Sequence, residues 1–140
     1  MRVMVMVKAT PESEAGAMPT VEELEAMGRF NDELSKAGVL LAGEGLHPSS
    51  RGRRVAMHGE DRVVTDGPFT EVRELVAGFW IWEVRDMEEA VQWARRCPPP
   101  MRGGGELELR QVFEAEDFGD ALTPEAAELH GWTRDGEPVR

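Results

Sequence analysis

Two stretches of this chain are apolar at almost every position. Residues 1–7 read MRVMVMV, broken only by Arg2, and residues 75–84 read LVAGFWIWEV, broken only by Glu83. Strict alternation would leave one strand face in water, and neither run alternates. Both are therefore expected as central strands, and the first as covered on both sides. Val21, Leu24, Met27, Phe30, Leu34 and Ala37 recur instead at helical spacing. Thr20 and Glu23 fit a capping box at the start of that helix, and Gly38 suits the left-handed position just past its end. Gly28 lies in its interior, at a cost of about 1 kcal/mol against alanine. Close packing on a sheet or close approach of a ligand would each explain it.

The remaining elements follow from the same patterning. Residues 39–46, VLLAGEGL, predict a second strand, and Pro48, Ser49 and Ser50 turn the chain. Residues 53–58 and 62–65 predict a hairpin around Gly59, Glu60 and Asp61. The second arm of that hairpin stops at Asp66-Gly67-Pro68-Phe69, a turn in which Asp bonds backbone ahead of it, Gly is permissive and Pro fixes its own angle. Residues 70–74 are a polar connector. Asp86 and Glu89 open a second helix whose buried stripe is Met87, Ala90, Val91, Ala94 and Cys97, and three prolines from Pro98 end it. Residues 106–113 alternate acid and leucine at first, as a strand with one wet face does. Thr123 and Pro124 start a short helix to Leu129, and residues 131–140 are expected to fray. Residues 9–19 form a loop long enough to act as a flap.

The order is β-α-β, a hairpin insert, then β-α-β. That is a ferredoxin-like α+β plan, one antiparallel sheet with two helices on one face. The strands carry apolar residues on both faces, so a second copy of the same sheet is expected to cover the other side. Residues 1–113 are expected to form this domain, with residues 114–140 as a helical arm and tail.

Composition narrows the function. The net charge is −11, from 27 acidic and 16 basic residues, which opposes nucleic-acid binding outside a basic patch. The cluster of Arg51, Arg53, Arg54 and Arg62 reads as a charged hairpin edge. No apolar run reaches membrane-spanning length, and the N-terminal run is too short for a signal-peptide core. Cys97 is the one cysteine, so no internal disulfide forms. A cytoplasmic location is expected. There is no phosphate loop, dinucleotide fingerprint or serine-triad signature, and no cofactor is expected.

Glu44 and His47 sit at one strand end and Asp66 ends another. Gathered in a cleft they would suit proton transfer, since histidine as a residue type titrates near neutrality and a carboxylate can orient it. The competing reading has Asp66 capping its own turn, with Glu44 and His47 solvated. A metal site from the three is disfavoured, because residues three apart on a strand point to opposite faces. Arg73 either joins a surface cluster with Glu71 and Glu74 or binds a carboxylate through its planar fork. Gly43, Gly45, Gly67 and Phe69 complete the expected ligand-binding set. Cys97 lies at a helix C-terminus, where the dipole disfavours a thiolate.

The stretches KAGVLLAGEGLHPSS (36–50), VVTDGPFTEVRELVAGFWIWEV (63–84), MEEAVQWARRCP (87–98) and ELELRQV (106–112) together resemble the DGPF subgroup of the YCII-related proteins, in the dimeric α+β barrel superfamily. The resemblance implies a ferredoxin-like protomer, a homodimer formed through the sheet faces and a small cleft in each protomer. Most members have no assigned reaction, and the likeness to small isomerases, lyases and dehydrochlorinases is one of fold. The histidine that YCII-related proteins carry on the first helix has no counterpart in residues 21–37. The connector often reads Glu-Thr-Lys-Glu in relatives and here reads Glu71-Val72-Arg73-Glu74. Two functions follow as expectations: an acid–base enzyme acting on a small carbonyl or carboxylate molecule, or a non-catalytic dimeric module that binds a metabolite or protein.

Overall fold

The computed structural model describes residues 1–131, and most of the expected terminal tail lies outside them. The strands are β1 (Arg2–Lys8), β2 (Leu40–Gly45), β3 (Arg53–His58), β4 (Asp61–Asp66), β5 (Val76–Glu83) and β6 (Leu107–Gln111). The helices are α1 (Pro11–Glu14), α2 (Val21–Lys36), α3 (Met87–Arg95) and α4 (Pro124–Leu129). Four strands form one sheet in the order β2-β5-β1-β6, and β3 and β4 form a separate two-stranded hairpin. β5 is antiparallel to both β1 and β2. Interleaving the strands of two βαβ units gives this order, which is the ferredoxin-like plan. The chain divides into two compact units, Met1–Arg110 and Gln111–Arg140. The first holds the sheet and α1 to α3. In the second, Phe113 stacks on Phe118 with ring centroids 5.1 Å apart, and α4 is capped by Thr123.

The core lies on the helix side of the sheet. Val3, Val5 and Val7 of β1 and Trp80 and Trp82 of β5 pack against Phe30, Leu34 and Ala90. Phe30 meets both indoles edge-on, at 6.1 and 6.2 Å, the arrangement aromatic quadrupoles favour. β1 differs from its expected cover on both sides. It alternates, with Val3, Val5 and Val7 buried and Arg2, Met4, Met6 and Lys8 only half-buried. Methionines on the second face made an alternating strand look uniformly buried.

Helix ends follow the sequence closely. The Thr20 hydroxyl accepts from the Glu23 backbone N–H and donates to the Glu23 carboxylate, so the glutamate reaches the side chain of the cap and not its backbone. At the other end Gly38 has φ +74°. The Val39 N–H bonds the Leu34 carbonyl and the Gly38 N–H bonds that of Ser35, satisfying two carbonyls the helix leaves open. Neither explanation offered for Gly28 holds, because a Cβ built there meets nothing within 4 Å. Gly28→Ala should therefore stabilise the protein by about 1 kcal/mol, measured by denaturant unfolding, through the lower entropy of its unfolded chain.

Candidate active site

α2, the β2 end of the sheet, the flap carrying α1 and the turn at residues 100–102 enclose a cavity of about 790 Å³. That volume suits a small ligand. Its wall is mostly apolar, with Met27, Leu46, Ala77 and Trp80, and its polar groups include Asn31, Glu44, His47 and Arg102. Strand register explains how β2 shapes it. Gly43 pairs with Trp80 and Gly45 with Gly78, so both glycines share the helix-facing side with the indole. A Cβ on Gly43 would lie 2.8 Å from Trp80 Cδ1, so the missing side chain is what lets the ring lie across β2. A Cβ on Gly45 would meet nothing within 4 Å. Glu44 pairs with Phe79, which turns it to the opposite face.

The Trp80 indole N–H donates to Asn31 Oδ1 at 2.8 Å. An indole is a donor only, so this bond fixes the amide with its oxygen toward Trp80 and leaves the NH₂ group as donor. Sequence periodicity marked Phe30 and Leu34 as core but passed over Asn31, whose role shows only once β5 packs beside α2. His47 follows β2 and is exposed. Arg51 Nη1 lies 3.0 Å from its Nε2 and 3.2 Å from its Nδ1.

The Asp66-Gly67-Pro68-Phe69 turn docks on residues 48–52 and not on the cavity. The Gly67 N–H donates to the Gly52 carbonyl at 3.0 Å, and a Cβ on Gly67 would lie 1.8 Å from the Ser49 carbonyl oxygen. The Phe69 N–H donates to Ser49 Oγ at 3.0 Å. Ser49 in turn gives its hydroxyl proton and its backbone N–H to the two oxygens of Glu14 on the flap. One hydrogen-bonded chain thus joins the turn, the Ser49 corner and α1. Neither Ser49 nor Glu14 stood out in the sequence, because each is an ordinary polar residue of a loop.

Asp66 ion-pairs with Arg53 at 2.8 Å, both side chains being more than 70% exposed (77% and 73%). Arg54 stacks over the Phe69 ring at 3.9 Å. Arg73, in a single helical turn (Val72–Glu74), borders a second, more open hollow with Ala9, Thr10 and Pro11. Of the eight expected site residues, Gly43, Glu44, Gly45 and His47 therefore border the cavity. Asp66, Gly67 and Phe69 belong to the turn, and Arg73 to the other hollow.

Burial pushes the Cys97 thiol up to about 11 from 9.0. The folded chain thus holds this proton where the unfolded chain releases it. The contribution is complete below pH 9.0 and is lost as pH rises toward about 11. Alkylation of the native protein at pH 8 should be much slower than that of the denatured chain, by mass spectrometry. Equal rates would contradict the burial.

Comparison with known proteins places the chain. The model of the YCII-related domain matches residues 1–116. This chain belongs to the YCII-related family. An uncharacterized protein of Rhizobium meliloti (strain 1021) is 26% identical over 92 residues, 66% of this chain and 72% of that protein. A solved structure of 5-chloro-2-hydroxyhydroquinone dehydrochlorinase (TftG) from Burkholderia phenoliruptrix AC1100, in complex with 2,5-dihydroxybenzoquinone, aligns at TM-score 0.47 and 15% identity over 81% of this chain and 95% of that one. As a YCII-related protein this chain is distinctive in having no histidine on α2; the histidine bordering its cavity is His47. Among the described residues no helix is long and apolar enough to cross a membrane, and no group of three or more acidic, histidine or cysteine side chains could hold a metal.

Proposed function

We propose that this YCII-related protein transfers protons on a small carbonyl- or carboxylate-bearing molecule held in the cavity under the flap, with His47 as the acid–base group. The observation that carries the reading is the cavity itself, an apolar chamber of about 790 Å³ with few polar groups on its wall. Asn31 offers a preset N–H donor to a carbonyl oxygen, which gains negative charge when a neighbouring carbon loses its proton. His47 takes that proton and returns it at another position, the step an isomerase or lyase needs. Arg51 and Arg102 supply positive charge for a ligand carboxylate, and Glu44 orients His47 from the strand end. Asp66 holds the base of the hairpin and takes no part in the chemistry.

The protein works in this reading as a cytoplasmic homodimer. The half-buried Met4, Met6, Phe79 and Ile81 on the second sheet face support a partner there. Residues 114–140 serve as an accessory arm, and truncation after Phe113 should leave the domain folded.

The test is solvent exchange. Small oxo acids and 1,3-dicarbonyls are incubated with the protein in D₂O and their C–H signals followed by NMR. At least one should exchange faster with protein, and His47→Ala should slow it by about 10²–10⁴-fold. Binding without any exchange across the panel would replace the enzyme by a non-catalytic binding module.

A further inference from the structure

The β3–β4 hairpin stands outside the main sheet. All twelve residues of its two strands are exposed, and β3 pairs with β4 alone. An isolated two-stranded ribbon is marginal in water. This one is nonetheless held firmly at its base, by the Arg53–Asp66 ion pair, the Gly67-to-Gly52 backbone bond and Arg54 over Phe69. Its register puts Val55, Met57 and Val64 on one face. Those three are 53%, 71% and 60% exposed. A rigid arm with an apolar stripe and no cover within its own chain is built for another surface.

Charge indicates which surface. Residues 51–66 carry four arginines against three carboxylates, a net +1, so the rest of the chain is −12. The arm is the basic part of an acidic protein, and a second copy offers the complementary surface. Two-fold symmetry would let each copy's arm lie on the other at the same time.

We propose that the β3–β4 hairpin is a dimer arm, which lays the Val55, Met57 and Val64 face on a second copy of this chain. The proposal rests on the homodimer reading above and adds a contact outside the sheet faces. It also gives the Asp66-Gly67-Pro68-Phe69 turn a task, which is to aim the arm.

The experiment is sedimentation velocity on the full chain and on a Met57→Glu, Val64→Glu double variant, at low micromolar concentration. Both positions are exposed in the protomer, so tryptophan fluorescence should show the variant folded. Wild type should be a dimer. The variant should dissociate about a hundredfold more readily, because each glutamate would bring an unpaired carboxylate into the contact. Val64→Thr should remain a dimer, and raised salt should weaken the wild-type dimer. A dimer equally strong in the double variant overturns the arm and leaves the sheet-face dimer standing. A monomeric wild type overturns both. Hydrogen exchange decides without mutation: amides in residues 53–66 should slow as protein concentration rises through dimerisation, and fast exchange there in a dimeric sample overturns the arm. Loss of heparin binding in the arginine variants of a dimer insensitive to Met57 and Val64 would assign the hairpin to a polyanion instead, which also overturns it.

Discussion

Gly67→Ala should destabilise the protein by about 4 kcal/mol and lower its melting temperature by about 10 °C or more. The added methyl would sit 1.8 Å from the Ser49 carbonyl oxygen, well inside van der Waals contact. The obstacle is main chain, so no side chain can rotate away. The turn must lift, and the lift costs the Gly67 bond to Gly52 and the Phe69 bond to Ser49. Each such bond contributes about 1 kcal/mol, added to the overpacking. Ser49 also holds Glu14, so the flap should loosen with the turn, read as faster hydrogen exchange in residues 10–19. An unchanged melting temperature would show that the turn does not seat on Ser49.

Much of the fold was legible because its signals are local. Thr20, Gly38, Asp86 and Pro98 mark helix ends through chemistry within a few residues, and the structure uses each of them. The hairpin was legible through Gly59, whose φ of +61° makes the turn. The one-turn helix α1 escaped notice because residues 9–19 have no apolar period; its Thr10 and Ser13 cap each other with no hydrophobic mark. Gly28 misled, since a glycine in a helix suggests a close neighbour and here has none.

Gly45→Phe should abolish ligand capture while leaving stability within about 1 kcal/mol. The position has room for a side chain, faces the cavity side of β2 and tolerates an aromatic residue in an extended strand. The ring would occupy the space a ligand needs. Native mass spectrometry after incubation with a small-metabolite extract should show a bound species on wild type and none on the variant. A variant that captures the same species would place the ligand elsewhere. Gly43→Phe is a poor substitute, since even a Cβ there strikes Trp80 and would disturb the core.

The site was legible only in part. Gly43, Glu44, Gly45 and His47 are consecutive or nearly so, and proximity along one strand end carried them to one cavity. Asp66 and Arg73 required knowledge of how the connector packs, which depends on Ser49, Glu14 and Gly52 from distant loops. Asn31 depends on an indole 49 residues away. Such pairings are tertiary and leave no pattern in a single sequence.

The central claim, that the cavity beside Trp80 is where the small molecule binds, meets its most direct test in NMR titration. The oxo acid or dicarbonyl that exchanges fastest in D₂O is added to labelled protein. The account predicts shifts of the Trp80 indole N–H, the Asn31 side-chain amide and the Gly45 backbone amide, with Gly67, Phe69 and Arg73 unmoved. Shifts confined to Gly67, Phe69 and Arg73, with Trp80 and Asn31 silent, would contradict it.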